Sequence, residues 1–203
     1  IAFPIFAFMI VEGYFHTRSL KKYVGRLFVF AVISEIPFNL VMGSSLFYPL
    51  HQNVLWTFLI AVFLIWLNEL TRKKGKLWLR IVTGIGTLCL AFVLGLVTFV
   101  DYHYAGVLTV LVFYIFRGRK WWHFVGQAVC LYYINVEILS GFYYEVEVFG
   151  HTVTIVRQAF ALLALIPIWL YRGKQGPYNK VIKYVYYGFY PVHLLVLGLI
   201  RML

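Results

Sequence analysis

Eight apolar runs, most close to bilayer length, fill this sequence at 1–15, 23–41, 53–70, 77–100, 102–116, 121–139, 153–171 and 181–203. A helix rises about 1.5 Å per residue, so about 20 residues cross a hydrocarbon core of about 30 Å. Only lipid solvates that much apolar surface. Of 203 residues, 63% are hydrophobic, 20% aromatic and 12% charged, against about 45–50% apolar and about 25% charged in a soluble domain. The mean hydropathy of +0.84 points the same way. Disorder, a coiled coil and an ordinary cytosolic fold are excluded. The fold class expected is all-α: a polytopic transmembrane helical bundle of about eight helices, forming one integral membrane domain over 1–203. The sequence opens in mid-run at IAFPIFAFMIV, without a charged leader or cleavage site, so the natural start is expected to lie upstream. The short fifth run is expected to be tucked among neighbours or to line a cavity.

The connections alternate in charge without exception. Arg18, Lys21, Lys22 and Arg26 follow the first run; GSSLFYPLHQ, after the second, has no charge. Arg72, Lys73, Lys74, Lys76 and Arg80 follow the third; Asp101 alone follows the fourth. Arg117, Arg119 and Lys120 follow the fifth; Glu145 and Glu147 are the only charges after the sixth. Arg172, Lys174, Lys180 and Lys183 follow the seventh. Basic connections stay in the cytoplasm, which places the C-terminus outside. The same scatter explains the formal charge of +11 and excludes nucleic acid, which needs its cations gathered in one stripe. Trp78, Trp121, Trp122, Tyr171, Tyr178 and Tyr184 adjoin the basic clusters as an interfacial belt. Gly84, Gly86 and Gly95 are expected to allow close helix packing. Cys89 and Cys130, each inside an apolar run, are expected to pack as buried residues.

An ionisable group inside a bilayer is costly and marks a candidate site. Glu35 lies twelve residues into a run directed outward, about 18 Å from the inner surface, beside Pro37. His193 lies at a similar depth in the last run, after Pro191. Glu137, Arg157, Asp101, His103, His51 and Asn53 fall in the outer half or at its edge. Ion pairing of Arg157 with Glu35, Glu137 or Asp101 would account for them structurally, and His51 reads as an exposed loop residue. Glu12 and His16, spaced i, i+4, share a helix face. No metal-ligand spacing, P-loop or GxSxG motif is present, so no metal is expected. These residues leave an enzyme, a small proton-coupled transporter and a non-enzymatic assembly protein open. The paired broken helices of a transporter are not found.

Six blocks carry a resemblance: AFPIFAFMIVEGYFHTR, ISEIPFN, NVLWTF, DYHYAGVLTVLVFYIFR, LIPIWLYRGKQG and FYPVHLL. In this order and spacing the chain resembles the TraX family over essentially its whole length. That family is named for the conjugal-transfer protein that acetylates the amino terminus of F-type pilin. It is distantly similar to acyltransferase-3 enzymes and to the lysosomal glucosaminide acetyltransferase. The resemblance implies a membrane acetyltransferase that moves an acetyl group from cytosolic acetyl-CoA to an extracytoplasmic peptide amino terminus or a sugar-type amine or hydroxyl. It places the chain in a bacterial inner membrane. Its partners would be the bilayer and a peptide or glycan acceptor, with assembly into homo-oligomers left open. The family's blocks map onto residues 3–8, 12–18 and 34–38, onto Asp101, Tyr102 and Gly106 before 113–117, and onto Tyr190, Pro191 and His193. An Asp-His-Ile-Gly helix, usual in the family ahead of the position of Ile1, is expected upstream and holds the best candidate base.

Acetyl transfer needs a base for the acceptor proton, a donor for the developing oxyanion and a cationic grip on phosphates. Within this chain the expected catalytic residues are His193, Glu35 and Asp101. Asn53, Tyr102, Tyr190 and Arg157 are expected to serve substrate or oxyanion. Arg18, Lys21, Lys22, Arg72, Lys73 and Lys74 are expected to hold acetyl-CoA.

Overall fold

The computed structural model describes residues 1–43, 45–148, 151–173 and 179–202. Lys174 and Tyr178 fall outside them. Within them the chain is almost wholly helical: α1 (Ala2–His16), α2 (Leu20–Gly43), α3 (Val54–Lys73), α4 (Leu77–Val97), α5 (His103–Ile115), α6 (Trp121–Tyr132), α7 (Leu165–Leu170) and α8 (Lys180–Met202). Three of these, α2, α3 and α4, are long and apolar enough to cross a membrane by themselves. With the shorter apolar helices, including Ala2–His16 and His103–Ile115, they fit an integral membrane protein.

The short α5 sits at the centre. Ala105, Val107, Val110, Leu111 and Phe113 are all nearly inaccessible, and α1, α3, α4 and α6 pack around it. Of the two alternatives for the fifth run, the structure shows the helix tucked among neighbours. A helix shielded on all sides need not match the hydrocarbon thickness. Lipid is as apolar as leucine, so packing and buried polar contacts hold the bundle together rather than escape from water. Long α4 is the opposite case: only 17% of its apolar window is buried, leaving Ile81, Val82, Ile85 and Val93 for lipid.

Gly95 sets the α4–α5 crossing, because a Cβ there would run into the backbone of Tyr104. Gly84 and Gly86 do not share that role. Nothing lies near a Cβ at either position, so they sit on the open face of α4. Cys89 on the same helix is exposed rather than buried, while Cys130 is half-buried.

The seventh run differs from expectation at its start. Tyr143–Val148 (β1) and His151–Val156 (β2) form an antiparallel hairpin pairing Tyr143 with Val156 and Glu147 with Thr152. Helical structure resumes only with the 3₁₀ turns Arg157–Ala164, which lead into α7. Before the hairpin, α6 widens into the π-helical turn Tyr133–Ile138 that carries Glu137. Helix α8 packs along α2, with Arg201 donating to the Val41 carbonyl and Gly198 against Leu40. The two helices therefore run parallel, and that register sets His193 level with Glu35.

Candidate functional site

The basic connections meet at one end of the bundle. Arg117, after α5, donates to Glu12 near the end of α1 through Nε at 2.7 Å and Nη2 at 3.4 Å. Arg80, from the first turn of α4, donates to the carbonyl of Arg72 at the end of α3, at 3.0 Å. Arg119 donates to the carbonyl of Tyr171 after α7, at 3.0 Å. At the opposite, charge-poor end, the α2–α3 and α4–α5 connections are joined: the Gln52 amide donates to Phe99 at 2.8 Å and the Asp101 amide to Gln52 at 2.9 Å. Phe3, at the start of α1, stacks on Tyr102 with centroids 4.3 Å apart.

Glu35 anchors the charge-poor end. Its Oε2 accepts from Asn53 Nδ2 and from Trp56 Nε1, the latter at 3.0 Å. Its Oε1 is buried and has no hydrogen-bond partner among the described residues. Asn53 is completely buried. It caps α3 by accepting from the Leu55 amide at 3.1 Å, and it also donates to the Ala31 carbonyl at 2.8 Å. Both its N–H donors and its carbonyl are thus engaged within the fold. Asn53 positions Glu35 and has no hydrogen left for a substrate. Ser34 Oγ and Asn39 Oδ1, buried on the same helix, also lack partners among the described residues. A carboxylate held by one oxygen, with the other buried, keeps an acceptor in reserve for a hydrogen bond from another group.

Asp101 lies in a loop of unusual backbone. Phe99, Tyr102 and His103 have φ of +52°, +61° and +47°, a region that costs non-glycine residues about 1–3 kcal/mol each. Thr57 Oγ1 holds the loop by donating to the Asp101 carbonyl at 2.8 Å. The Asp101 carboxylate accepts from the Tyr102 amide at 3.1 Å and pairs with His51 Nε2 at 3.3 Å. Facing a carboxylate, His51 Nε2 carries the hydrogen, which leaves Nδ1 as a basic lone pair. The ring stacks on His103, with Phe38 at its edge. His51 is therefore half-buried and oriented, not a free loop residue.

Tyr190 from α8 stands against the Val54 backbone, within electrostatic reach of Asp101, Glu35 and Tyr102. Arg157 lies over the Phe142 ring at 5.4 Å and near Tyr102. Among the described residues it makes no ion pair with Glu35, Glu137 or Asp101, so the ion-pair account does not hold for it. His193 is half-buried, and its Nδ1 faces the Tyr190 carbonyl at 3.3 Å. A carbonyl only accepts, so Nδ1 carries the hydrogen and Nε2 is the basic atom. Phe189 stacks on the ring. Glu35, Asn53, Asp101, Tyr102 and Tyr190 thus gather at one end, joined by His51, Trp56 and Thr57. The sequence offered His51 only as an exposed loop residue and gave Trp56 and Thr57 no site role, because their partners lie 50, 21 and 44 positions away.

At the basic end two cavities adjoin. One, about 240 Å³, is lined by Glu12, Arg117, Arg119, Gln127, Trp169 and Arg172 among others. The second, about 540 Å³, includes Arg72, Arg80, Arg117 and His123. Arg72 alone of the six residues expected to hold acetyl-CoA lines either cavity. Lys73 and Lys74 are exposed beside it, and Arg18, Lys21 and Lys22 lie on or before the first turn of α2.

A family model described as TraX protein matches residues 1–201. A relative named as a probable fimbrial assembly protein, FimC of serogroup H1 from Dichelobacter nodosus, is 25% identical over 97% of this chain and 78% of its own length. No solved structure matches the chain.

Proposed function

The chain belongs to the TraX family, and from that premise we propose that it is a membrane acetyltransferase. It takes acetyl-CoA at the basic end, which faces the cytoplasm of a bacterial inner membrane. It acylates an acceptor at the charge-poor end, outside. The acceptor is a peptide amino terminus or a sugar-type amine or hydroxyl. The relative named for fimbrial assembly favours a surface-filament subunit.

The observation that carries this reading is the unpartnered, buried Oε1 of Glu35, set among histidines whose basic nitrogens are defined by their hydrogen bonds. Acyl transfer to an amine or hydroxyl forms a bond from that nitrogen or oxygen to the thioester carbonyl carbon. The acceptor loses a proton, and the thiolate leaves and takes one up. Glu35 and His193 stand level on adjacent helices to accept that proton. His51, oriented by Asp101, is a second acceptor nearer the surface. Tyr102, Tyr190 and Arg157 are the donors available to the oxyanion. Asn53 keeps Glu35 in place.

The test uses purified protein in lipid nanodiscs with acetyl-CoA and either a peptide bearing a free amino terminus or an amino sugar. Acceptor-dependent release of CoA thiol, with the acetylated product seen by mass spectrometry, is the expected result. No release with any such acceptor would move the chain to the transporter or assembly reading.

A further inference from the structure

The larger cavity at the basic end is lined mainly by polar side chains, three of them arginines, with Phe15 and Ile115 as its apolar part. Asn68, Thr71 and Arg72 come from the last two turns of α3, Arg80 from the first turn of α4, Arg117 from just beyond α5 and His123 from the first turn of α6. Among the described residues no carboxylate lines it. The acids stand behind the arginines and fix their edges. Glu69 accepts from Arg72 Nη1 at 3.1 Å and from the Tyr114 hydroxyl at 2.9 Å. Glu12 takes Nε and Nη2 of Arg117, whose guanidinium also lies over Phe15 at 4.2 Å. Arg80 is held by the Arg72 carbonyl, and among the described residues no carboxylate pairs with it. Three guanidiniums thus face two carboxylates, a surplus of one positive charge, with Lys73, Lys74 and Lys76 close by in sequence.

His123 completes the wall. Its Nδ1 accepts the Lys120 amide hydrogen at 3.1 Å, so the ring's own hydrogen sits on Nε2. The ring stacks on Trp122 at 3.5 Å and against Gly118, where a Cβ would collide with it. Guanidinium forks arriving from three chain segments, with an imidazole N–H, suit an anion whose acceptors point in several directions; the Asn68 amide and the Thr71 hydroxyl already donate within the fold and only shape the wall. A carboxylate presents acceptors in one plane only; a phosphate presents them tetrahedrally.

We propose that this cavity is a binding site for a phosphate-bearing ligand, gripped by Arg72, Arg80 and Arg117 with His123. Nucleotide-type phosphates of a soluble ligand and the head group of an anionic lipid share that chemistry. The first would supply the donor half of the acetyltransferase reading, and the proposal deepens that reading where it applies.

The test is calorimetric titration of the purified full chain in zwitterionic nanodiscs with pyrophosphate and with adenosine 3′,5′-bisphosphate, at low salt. Saturable binding is expected. Arg80→Gln should weaken it about tenfold or more, the effect of one lost charge-assisted contact. Arg80 is exposed and makes one backbone contact, so the variant should fold. Gly118→Ala should weaken binding by displacing His123, and Lys76→Gln should leave it unchanged. Short-chain phosphatidic acid is the second arm. Displacement of pyrophosphate with the same Arg80 dependence would uphold the site with a lipid head group as its ligand. No displacement, with nucleotide binding intact, would uphold it for a soluble ligand. Absence of saturable binding by all three probes, or binding indifferent to Arg80→Gln, overturns the proposal. Phosphate binding without acetyl transfer would count against the acetyltransferase reading alone. Acetyl transfer indifferent to Arg80 would count against this cavity alone.

Discussion

Two oxygens of one carboxylate lead different lives in Glu35, and that difference can be tested. Oε2 is fixed by Asn53 and Trp56, while Oε1 is buried without a partner. Glu35→Gln keeps one acceptor for Asn53 and Trp56 but cannot take a proton. Turnover should fall about 100-fold, with little change in the thermal midpoint. Asn53→Ala should do the reverse first. It removes the cap of α3 and strips a hydrogen bond from a buried carboxylate, a loss of about 2–4 kcal/mol, read as a lower midpoint in detergent. For His193, Ala should lower turnover about 100-fold if Nε2 accepts the proton, and Gln should not rescue it. Rescue by Gln would make His193 a hydrogen-bond donor. Near-normal turnover in both variants would leave it a packing residue and shift attention to His51. At this scale the sequence was partly legible. Glu35 stood out because charge is costly in an apolar run, and Asp101 because it is the lone charge of its connection. The His51–Asp101 pair did not, because 50 residues separate its members. Arg80, Arg117 and His123 were hidden by a sufficient simpler reason for being there: they lie in or beside connections whose positive charge topology already explains.

Helices legible from length and hydropathy came out close to their expected bounds, because a run of that kind in lipid has no alternative to satisfying its own backbone. The hairpin shows where that reasoning stops. YYEVEV and HTVTIV alternate with period two and are rich in β-branched and aromatic residues, which is strand patterning. The apolar run that begins inside the second strand masked that period. The glycines of α4 show a second limit: composition gives three candidates for close packing, and only the partner helix tells them apart. Gly95→Ala should force α4 from α5 and cost about 1–3 kcal/mol. Gly84→Ala, on an open face, should be neutral or slightly stabilising through helix propensity. Thermal unfolding of the two variants in the same detergent separates them, and equal midpoints would mean that α4 and α5 do not cross at Gly95.

Across the whole molecule, α3 links the two ends. Asn53 caps its start and Arg72 closes its last turn, so nineteen residues set them about 28 Å apart. The contacts Arg117–Glu12, Arg80–Arg72 and Arg119–Tyr171 collect basic segments at one end. The Gln52–Phe99 and Phe3–Tyr102 contacts collect the charge-poor segments at the other. Which end faces the cytoplasm follows from where lysine and arginine are retained during insertion. In intact cells an impermeant thiol reagent should therefore modify Ser45→Cys and Glu145→Cys, and should spare Lys73→Cys until the membrane is opened. The native cysteines lie within apolar helices, away from an impermeant reagent in water, and a Cys89→Ser, Cys130→Ser chain removes any background that remains. Labelling of Lys73→Cys in sealed cells would turn the bundle over. The helices and both polar ends would stand as described, but the arginine cavity would open outward, away from any cytosolic thioester. Acetyl-CoA could not then be the donor, and the unpartnered oxygen of Glu35 would face the cytoplasm.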